Sequence, residues 1–317
     1  MDGLENQAER EVRLLVDRLY KHNVLEIKHS SRDCLIEQIT EVLLYPFPVV
    51  TRTLVFRSGL SSNSLRLLQT VLKKPDSPIR ELEFISLRTE EEVEMALACC
   101  QVQPKIERVR LENYRSLGRV GREDRQSIAQ TLRRGIFGAE HDNGGCPLPH
   151  VTCVEIVGFP IGSVGAQILS EAMVKNSTIE TLRLMDCDLR SDSIFYIAQM
   201  IRGNTRLREL DLSYNRHYLE SPITRELTIK TLVNKGLKYN YTLHRLGLRQ
   251  TRGEPVERSK IDQLLSVNRF CYDFRKNQRD PFNVPEAVWP HVIARVTAKP
   301  SVLNQFLRDS ATALFGS

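Results

Sequence analysis

The feature that most constrains this chain is repetition. NSTIETLRLMDCDL, from Asn176 to Leu189, is nearly restated 28 residues later by NTRLRELDLSYN, which begins at Asn204. The shared unit is an apolar residue, two residues of any kind, then apolar-x-apolar. It occurs at Ile79/Leu82/Phe84, Ile106/Val109/Leu111, Val151/Val154/Ile156, Ile179/Leu182/Leu184, Leu207/Leu210/Leu212 and Leu243/Leu246/Leu248. Leu54/Phe56 is a degenerate copy and Leu25/Ile27 a weaker one. Successive apolar-x-apolar pairs are separated by 29, 28, 27, 45, 28, 28 and 36 residues. Self-similarity at such a period marks a repeat architecture. The two long steps predict insertions before Val154 and before Leu246.

Between the strand signals lie helical patterns. Leu35, Ile36, Ile39, Val42 and Leu43 share a helical face, as do Ile168, Leu169, Ala172 and Met173, and Ile194, Ile197, Ala198 and Ile201. Each unit therefore reads as a short strand, a turn and a helix. Neither element can bury its apolar side alone, whereas stacked units share one core, each buried Leu or Ile contributing roughly 1.5–3 kcal/mol.

IGSVGAQILSEAMVKNSTIETLRLMDCDL, from Ile161 to Leu189, resembles the ribonuclease-inhibitor-like class of leucine-rich repeat. That class also occurs in NOD-like receptors and in GTPase-activating proteins for Ran. The residues that carry the likeness are Gly162, Gly165, Ala166, Ala172, Asn176, Thr178, Leu182, Leu184 and Cys187. The next unit supplies Asn204, Leu207, Leu210, Leu212 and Asn215. Residues 150–250 match well, 24–135 loosely, and 272–317 do not match. The resemblance implies an α/β leucine-rich repeat solenoid, a curved horseshoe with parallel strands on the concave side and helices on the convex side. It also implies a buried ladder at Cys187 and Asn215, after the strands. Asn176, Asn204 and Asn240 each end a helix, where asparagine tolerates the left-handed conformation and bonds local backbone. That reading explains Asn176-Ser-Thr and Asn240-Tyr-Thr better than glycosylation does.

Catalytic readings find little support. GFPIGSVG, from Gly158 to Gly165, lies between a strand and a helix, but its glycine spacing is wrong for a dinucleotide turn. There is no phosphate-binding G-x-x-x-x-G-K-[ST], no H-E-x-x-H and no C-x-x-C. The seven histidines lack ligand spacing. Cys99 and Cys100 fall on a helical pattern with Val93 and Leu97 and read as core. We therefore expect no enzyme, no cofactor and no metal.

The seven cysteines are an odd number without disulfide-module spacing. The N-terminus MDGLENQAEREVRLLV is not a secretory signal, and no apolar run approaches the roughly 20 residues needed to cross a bilayer. These features point to a cytoplasmic protein without membrane contact.

Side chains alternate across a strand, so the residues flanking the apolar pair face outward. On the concave surface these include Arg108, Arg110, Glu155, Arg183, Met185, Glu209, Asp211, Arg245 and Arg249, our candidates for partner contact. Counted over all eight strands, the surface carries seven basic and seven acidic residues. Nucleic-acid binding draws on a cationic surplus, so nucleic acid is disfavoured. A neutral surface whose signs change from rung to rung suits a protein partner, where charge sets register. On this reading, reversing Arg110 and Arg183 abolishes capture and leaves folding unchanged. Neither a small-molecule substrate nor the partner's identity is indicated. A regulator of a small GTPase, similar to the Ran-activating proteins, is the alternative.

The predicted organisation is an N-terminal capping helix at 1–22 and a solenoid of seven to eight units at 23–271. Insertions fall near 113–148 and 216–225, and a helical C-terminal cap occupies 272–317. The first insertion is arginine-rich (Arg115, Arg119, Arg122, Arg125, Arg133 and Arg134) and runs into GAEHDNGGCPLPH, which reads as a mobile loop.

Overall fold

The structure, a computed structural model, describes residues 24–27, 51–57, 68–70, 72–73, 77–87, 89–113, 122–137, 148–215, 221–248 and 258–275. The expected cap at 1–22 lies outside them, as do residues 276–317 of the cap expected at 272–317. Eight strands form one parallel sheet: β1 (Val24–Ile27), β2 (Thr53–Phe56), β3 (Glu81–Ile85), β4 (Arg108–Glu112), β5 (Cys153–Val157), β6 (Thr181–Met185), β7 (Glu209–Asp211) and β8 (Arg245–Gly247). They lie side by side in chain order. Parallel neighbours need a crossover, usually a helix. Among the described residues these helices are α1 (Glu90–Gln101), α2 (Arg122–Leu132), α3 (Gly162–Lys175), α4 (Ser193–Gly203) and α5 (Pro222–Thr231), and α6 (Arg258–Arg275) follows β8. The architecture is α/β and fits a repeat solenoid.

The sequence repeat becomes physical in the register. Leu25, Leu54, Leu82, Val109, Val154, Leu182, Leu210 and Leu246 are successive Cα partners, one unbroken row across the sheet. All eight are buried. A second buried row runs through Phe56, Phe84, Leu111, Ile156 and Leu184, with the Phe56 and Phe84 rings stacked at 5.3 Å. Leu97 of α1, Leu132 of α2, Leu169 of α3, Ile197 of α4 and Leu265 of α6 belong to the same core. The helices therefore cover one face of the sheet, and the other face is open from β3 onward, while the β2 residues Thr53 and Val55 on that side are buried.

The two long units differ from expectation in where their extra residues lie. Segment 113–148 contains α2, packed between α1 and α3 in the place where other units have their helix. Residues 114–121 and 138–147, including the glycine-rich stretch, lie outside the described residues. Segment 216–225 likewise runs into α5 at Pro222. Both long units end their helix in a π turn, Arg133–Phe137 and Leu232–Gly236. A π turn accommodates extra residues without breaking the helix. The expected boundary at 271/272 falls inside α6, which continues to Arg275.

The helix-ending asparagines correct the sequence reading. Asn176, Asn204 and Asn240 have φ of −75°, −81° and −97° with ψ near 130–137°, which is extended rather than left-handed backbone. They are chosen for their side chains. Asn204 Oδ1 accepts from the Arg206 and Leu207 amides at 2.8 and 2.6 Å, and its Nδ2 donates to the Met173 and Asn176 carbonyls of the preceding unit. Asn240 repeats this pattern: its Oδ1 accepts from the Thr242 and Leu243 amides and its Nδ2 donates to the Ile201 and Asn204 carbonyls. One buried amide thus shapes the turn into the strand and ties two units together. With Asn204 and Asn240 buried and bonded at both ends, the sequon at Asn240 is closed to glycosylation in the folded protein.

Left-handed positions recur elsewhere, at the exit from the strands. Ser86, Gly158, Asp186 and Tyr214 have φ between 54° and 74°. Each is the fourth residue after its row partner Leu82, Val154, Leu182 or Leu210. Behind that turn runs the second ladder: Asn215 Oδ1 accepts from the Cys187 amide at 2.7 Å and Nδ2 donates to Leu184 O, while Cys187 Sγ donates to Ile156 O at 3.4 Å. Complete burial pushes the Cys187 thiol far above its ordinary pKa, so it is structural.

Replacing Asn204 by Ala strands buried amides and carbonyls in two units at once. We expect urea unfolding followed by circular dichroism to show a loss of about 2–4 kcal/mol. A loss below about 0.5 kcal/mol would mean that the ladder is ornamental.

Candidate functional site

The open face of the sheet is built from the residues that alternate with the two buried rows. Because the strands are parallel and in register, equivalent outward positions of successive units become neighbours. The central row reads Glu83, Arg110, Glu155, Arg183, Asp211, Gly247, and the row beside it Glu81, Arg108, Cys153, Thr181, Glu209, Arg245. Sign thus alternates strand by strand from β3 to β7. Charged neighbours on one face of a sheet attract when opposite and repel when alike, so this order lets the face neutralise itself.

Glu155 is the centre. Although its strand position faces outward, the residue is 1% exposed. Its Oε1 accepts from Arg108 Nη2 at 2.7 Å and Arg183 Nη1 at 2.6 Å, and Oε2 lies 3.7 Å from Arg110 Nη1. Arg108 also faces Glu81 and Glu83 at 3.6 and 3.8 Å, and Arg110 pairs with Glu112 at 2.5 Å. Three guanidiniums from the two flanking strands thus close over one carboxylate and remove it from water. Burial works against the Arg108 charge, but Glu155, Glu83 and Glu81 outweigh it and hold its pKa above the ordinary arginine value.

Four candidate contact residues, Arg108, Arg110, Glu155 and Arg183, are therefore one cluster. Met185 lies on the outer row beside Val157. Glu209, Asp211 and Arg245 form a second group on β7 and β8, with Arg183 and Gly247 lining the same shallow depression. Arg245 is largely exposed and only loosely paired, 4.0 Å from Glu209. Asp211 Oδ1 accepts from the Ser213 amide at 2.9 Å, and the carboxylate leans over Gly247, where a Cβ would come 2.3 Å from Oδ1. Arg249 lies outside the described residues. Sequence reasoning left Glu81, Glu83 and Glu112 off the candidate set; the strand-by-strand alternation of sign was the signal that couples them to the arginines.

This geometry corrects one expectation. Arg110 and Arg183 are not free charges awaiting a partner, because both hold Glu155. Reversing them would set new carboxylates against a buried one.

Other candidate chemistry resolves into packing. Burial and the Glu155 charge push the Cys153 thiol up to about 11, so it stays protonated at neutral pH. Burial likewise raises Cys99 to about 12 and carries Cys100 well above the ordinary range. Among the described residues no three His, Cys, Asp or Glu side chains gather as metal ligands. No described helix is long and apolar enough to cross a membrane. In the Gly158–Gly165 stretch, Gly158 has φ of 74° and a Cβ there would fall 2.1 Å from the Asn113 carbonyl oxygen; the glycine admits backbone, not phosphate. The arginine-rich segment is partly committed too: Arg125 pairs with Asp188, and Arg134 lies 3.3 Å from Glu94.

No family model matches this chain, and no curated protein matches it. Among solved structures, it is similar to the leiomodin-1 actin-binding site 2, at 20% identity and a TM-score of 0.42. The match covers 58% of this chain and 92% of that one. A likeness of that size speaks to neither partner nor activity.

Two outcomes follow from the cluster. Arg183→Glu should lower stability to urea by about 2–4 kcal/mol, and Arg183→Met by less, because removing one partner of a buried charge leaves the other uncompensated. Equal stability of wild type and Arg183→Glu would contradict the cluster. Cys153 should react with iodoacetamide at pH 8 several-fold more slowly than a free thiol of pKa about 8.5, measured by peptide mass after quenching.

Proposed function

We propose that this protein is a non-catalytic leucine-rich repeat scaffold of the ribonuclease-inhibitor-like kind, cytoplasmic, which binds another protein on the open face of its sheet. The carrying observation is the Glu155 cluster. Four charged side chains from three strands are already held in place before any partner arrives, the three arginines 2.6 to 3.7 Å from the Glu155 carboxylate. Ordering a long side chain on binding costs about 0.5–1.5 kcal/mol, a cost this face has largely met on folding. The arginine side chains stay about a third exposed while they hold Glu155, so a partner's carboxylates and carbonyls can reach the part of each guanidinium that faces water. Eight strands at about 4.8 Å spacing give a ribbon close to 40 Å wide, room for an interface of ordinary size.

The wider face supports a protein partner over nucleic acid. Every arginine in the cluster has a carboxylate within 4 Å, so few counterions would be released by phosphate binding. The reading as a regulator of small GTPases rests on fold resemblance, and fold is a weak warrant for activity.

The test must spare the cluster. Glu209 and Arg245 are the exposed pair, so the swap Glu209→Arg/Arg245→Glu keeps an ion pair while reversing what the face presents. We expect an unchanged melting curve and loss of the protein that the wild type captures from native extract in the presence of ribonuclease. Capture that survives the swap, or that disappears with ribonuclease, would remove the open face as a protein-binding surface.

A further inference from the structure

A second surface lies on the helix side, in the unit that precedes β8. Its helix is long: α5, the π turn Leu232–Gly236 and the 3-10 turn Leu237–Tyr239 run without a break. The neighbouring α4 packs chiefly against Leu232–Gly236 and little against α5, so the first turns of α5 extend past it. They carry Ile223 and Leu227, 78% and 60% exposed and one turn apart on the same side. The outward stripe continues through Lys230, Asn234 and Lys238, all exposed.

Two exposed rings flank the stripe, each beneath a cation. Lys235 Nζ sits 4.7 Å from the Phe195 ring centroid and the Arg202 guanidinium 4.6 Å from that of Tyr239. Such contacts hold a cation in place without neutralising it. Glu226 is occupied by Lys230. Among the described residues, no carboxylate pairs with Arg202, Lys235 or Lys238. Scattered exposed hydrophobes need no explanation, but grouped ones do. Ile223 and Leu227 are grouped on the first turns of α5, and further along the helix the Phe195 and Tyr239 rings lie beneath Lys235 and Arg202, cations for which the described residues offer no carboxylate.

We propose that this stripe docks an acidic amphipathic segment of a partner protein. The segment's apolar residues lie on Ile223 and Leu227, and its carboxylates meet Lys235, Lys238 and Arg202. From Ile223 to Lys238 the helix covers about 22 Å at 1.5 Å per residue, the length of a partner helix of about 15 residues. Charge decides against two other occupants. The chain's own segment 276–317 has apolar helical patterns, but it carries five Lys or Arg against three Asp or Glu. A second copy would bring the same cations to the same face. An anionic membrane shares the segment's charge, and the vesicle arm of the experiment distinguishes it. The proposal is independent of the open face: either surface can fail without the other.

The experiment selects a phage-displayed random library of peptides about 16 residues long on the full-length protein. Selection on the Ile223→Asp/Leu227→Asp variant provides the counter-screen. The substituted residues are exposed, so circular dichroism and melting should match wild type. The expected result is a consensus of Leu, Ile or Phe with Glu or Asp. A peptide carrying it should bind wild type in fluorescence anisotropy, with Kd raised at least about tenfold by Ile223→Asp/Leu227→Asp and by Lys235→Glu/Lys238→Glu. A selected consensus that is basic or uncharged would overturn the proposal, as would recovery of the same peptides on the variant. So would a selection that yields no consensus while phosphatidylserine vesicles sediment the protein. Displacement of the peptide by added 276–317 peptide, or a sedimentation-velocity dimer abolished by Leu227→Asp, would reassign the stripe to the chain itself.

Discussion

The structure depends on one constraint: a strand–helix unit of this size cannot cover its own apolar side. Leu182 and Leu184 are buried because β5 and β7 flank them and α3 and α4 close over them. The same holds for each pair along the row. Burial is thus a property of stacking, and stacking must be locked against slip, because a shift of one residue would turn the apolar row outward. The lock is polar. Asn204 and Asn240 reach back one unit to the carbonyls that end the preceding helix, and Asn215 and Cys187 do the same beyond the strand. Buried amides bonded at both ends specify a register that apolar contacts alone would leave loose.

The open face inherits a consequence of that register. In a parallel in-register sheet, whatever stands at an outward position in one unit stands beside its equivalent in the next. Repeating a charge faithfully would build a ladder of like charges. The chain instead changes sign from β3 to β4 to β5 to β6 and on to β7, and Glu155 is drawn down among the arginines that flank it. The price is that the most promising contact residues also hold the sheet's polar face together, so binding and stability cannot be separated at Arg183 as they can at Arg245.

Much of this was legible in the chain. The apolar-x-apolar pairs marked all eight strands, including the weak copy at Leu25, and the spacing of Ile194, Ile197, Ala198 and Ile201 marked α4. The roles of some residues were not. The helix-ending asparagines suggested a left-handed turn, yet their backbone is extended, and left-handed residues such as Ser86, Gly158, Asp186 and Tyr214 follow the strands instead. Propensity describes a residue's own backbone, while Asn204 is there for carbonyls 28 and 31 residues away. The arginine run near 113–148 looked like an insertion with loose charge. It contains α2, and Arg125 crosses to Asp188, two strands further along.

What the sequence by itself determined is the periodic part: strand and helix alternate, the two apolar residues of each strand point inward, and the outward residues carry both signs in equal number. Those follow from spacing, since the side-chain periods of strand and helix are local properties of the backbone. Only the tertiary structure decided which charges are spent on one another, that Glu155 is buried, and that the long helix from Pro222 leaves Ile223 and Leu227 uncovered. Those depend on distances between residues about 30 to 75 positions apart in the chain, and a spacing rule that ends within one turn of helix or strand carries no information about them.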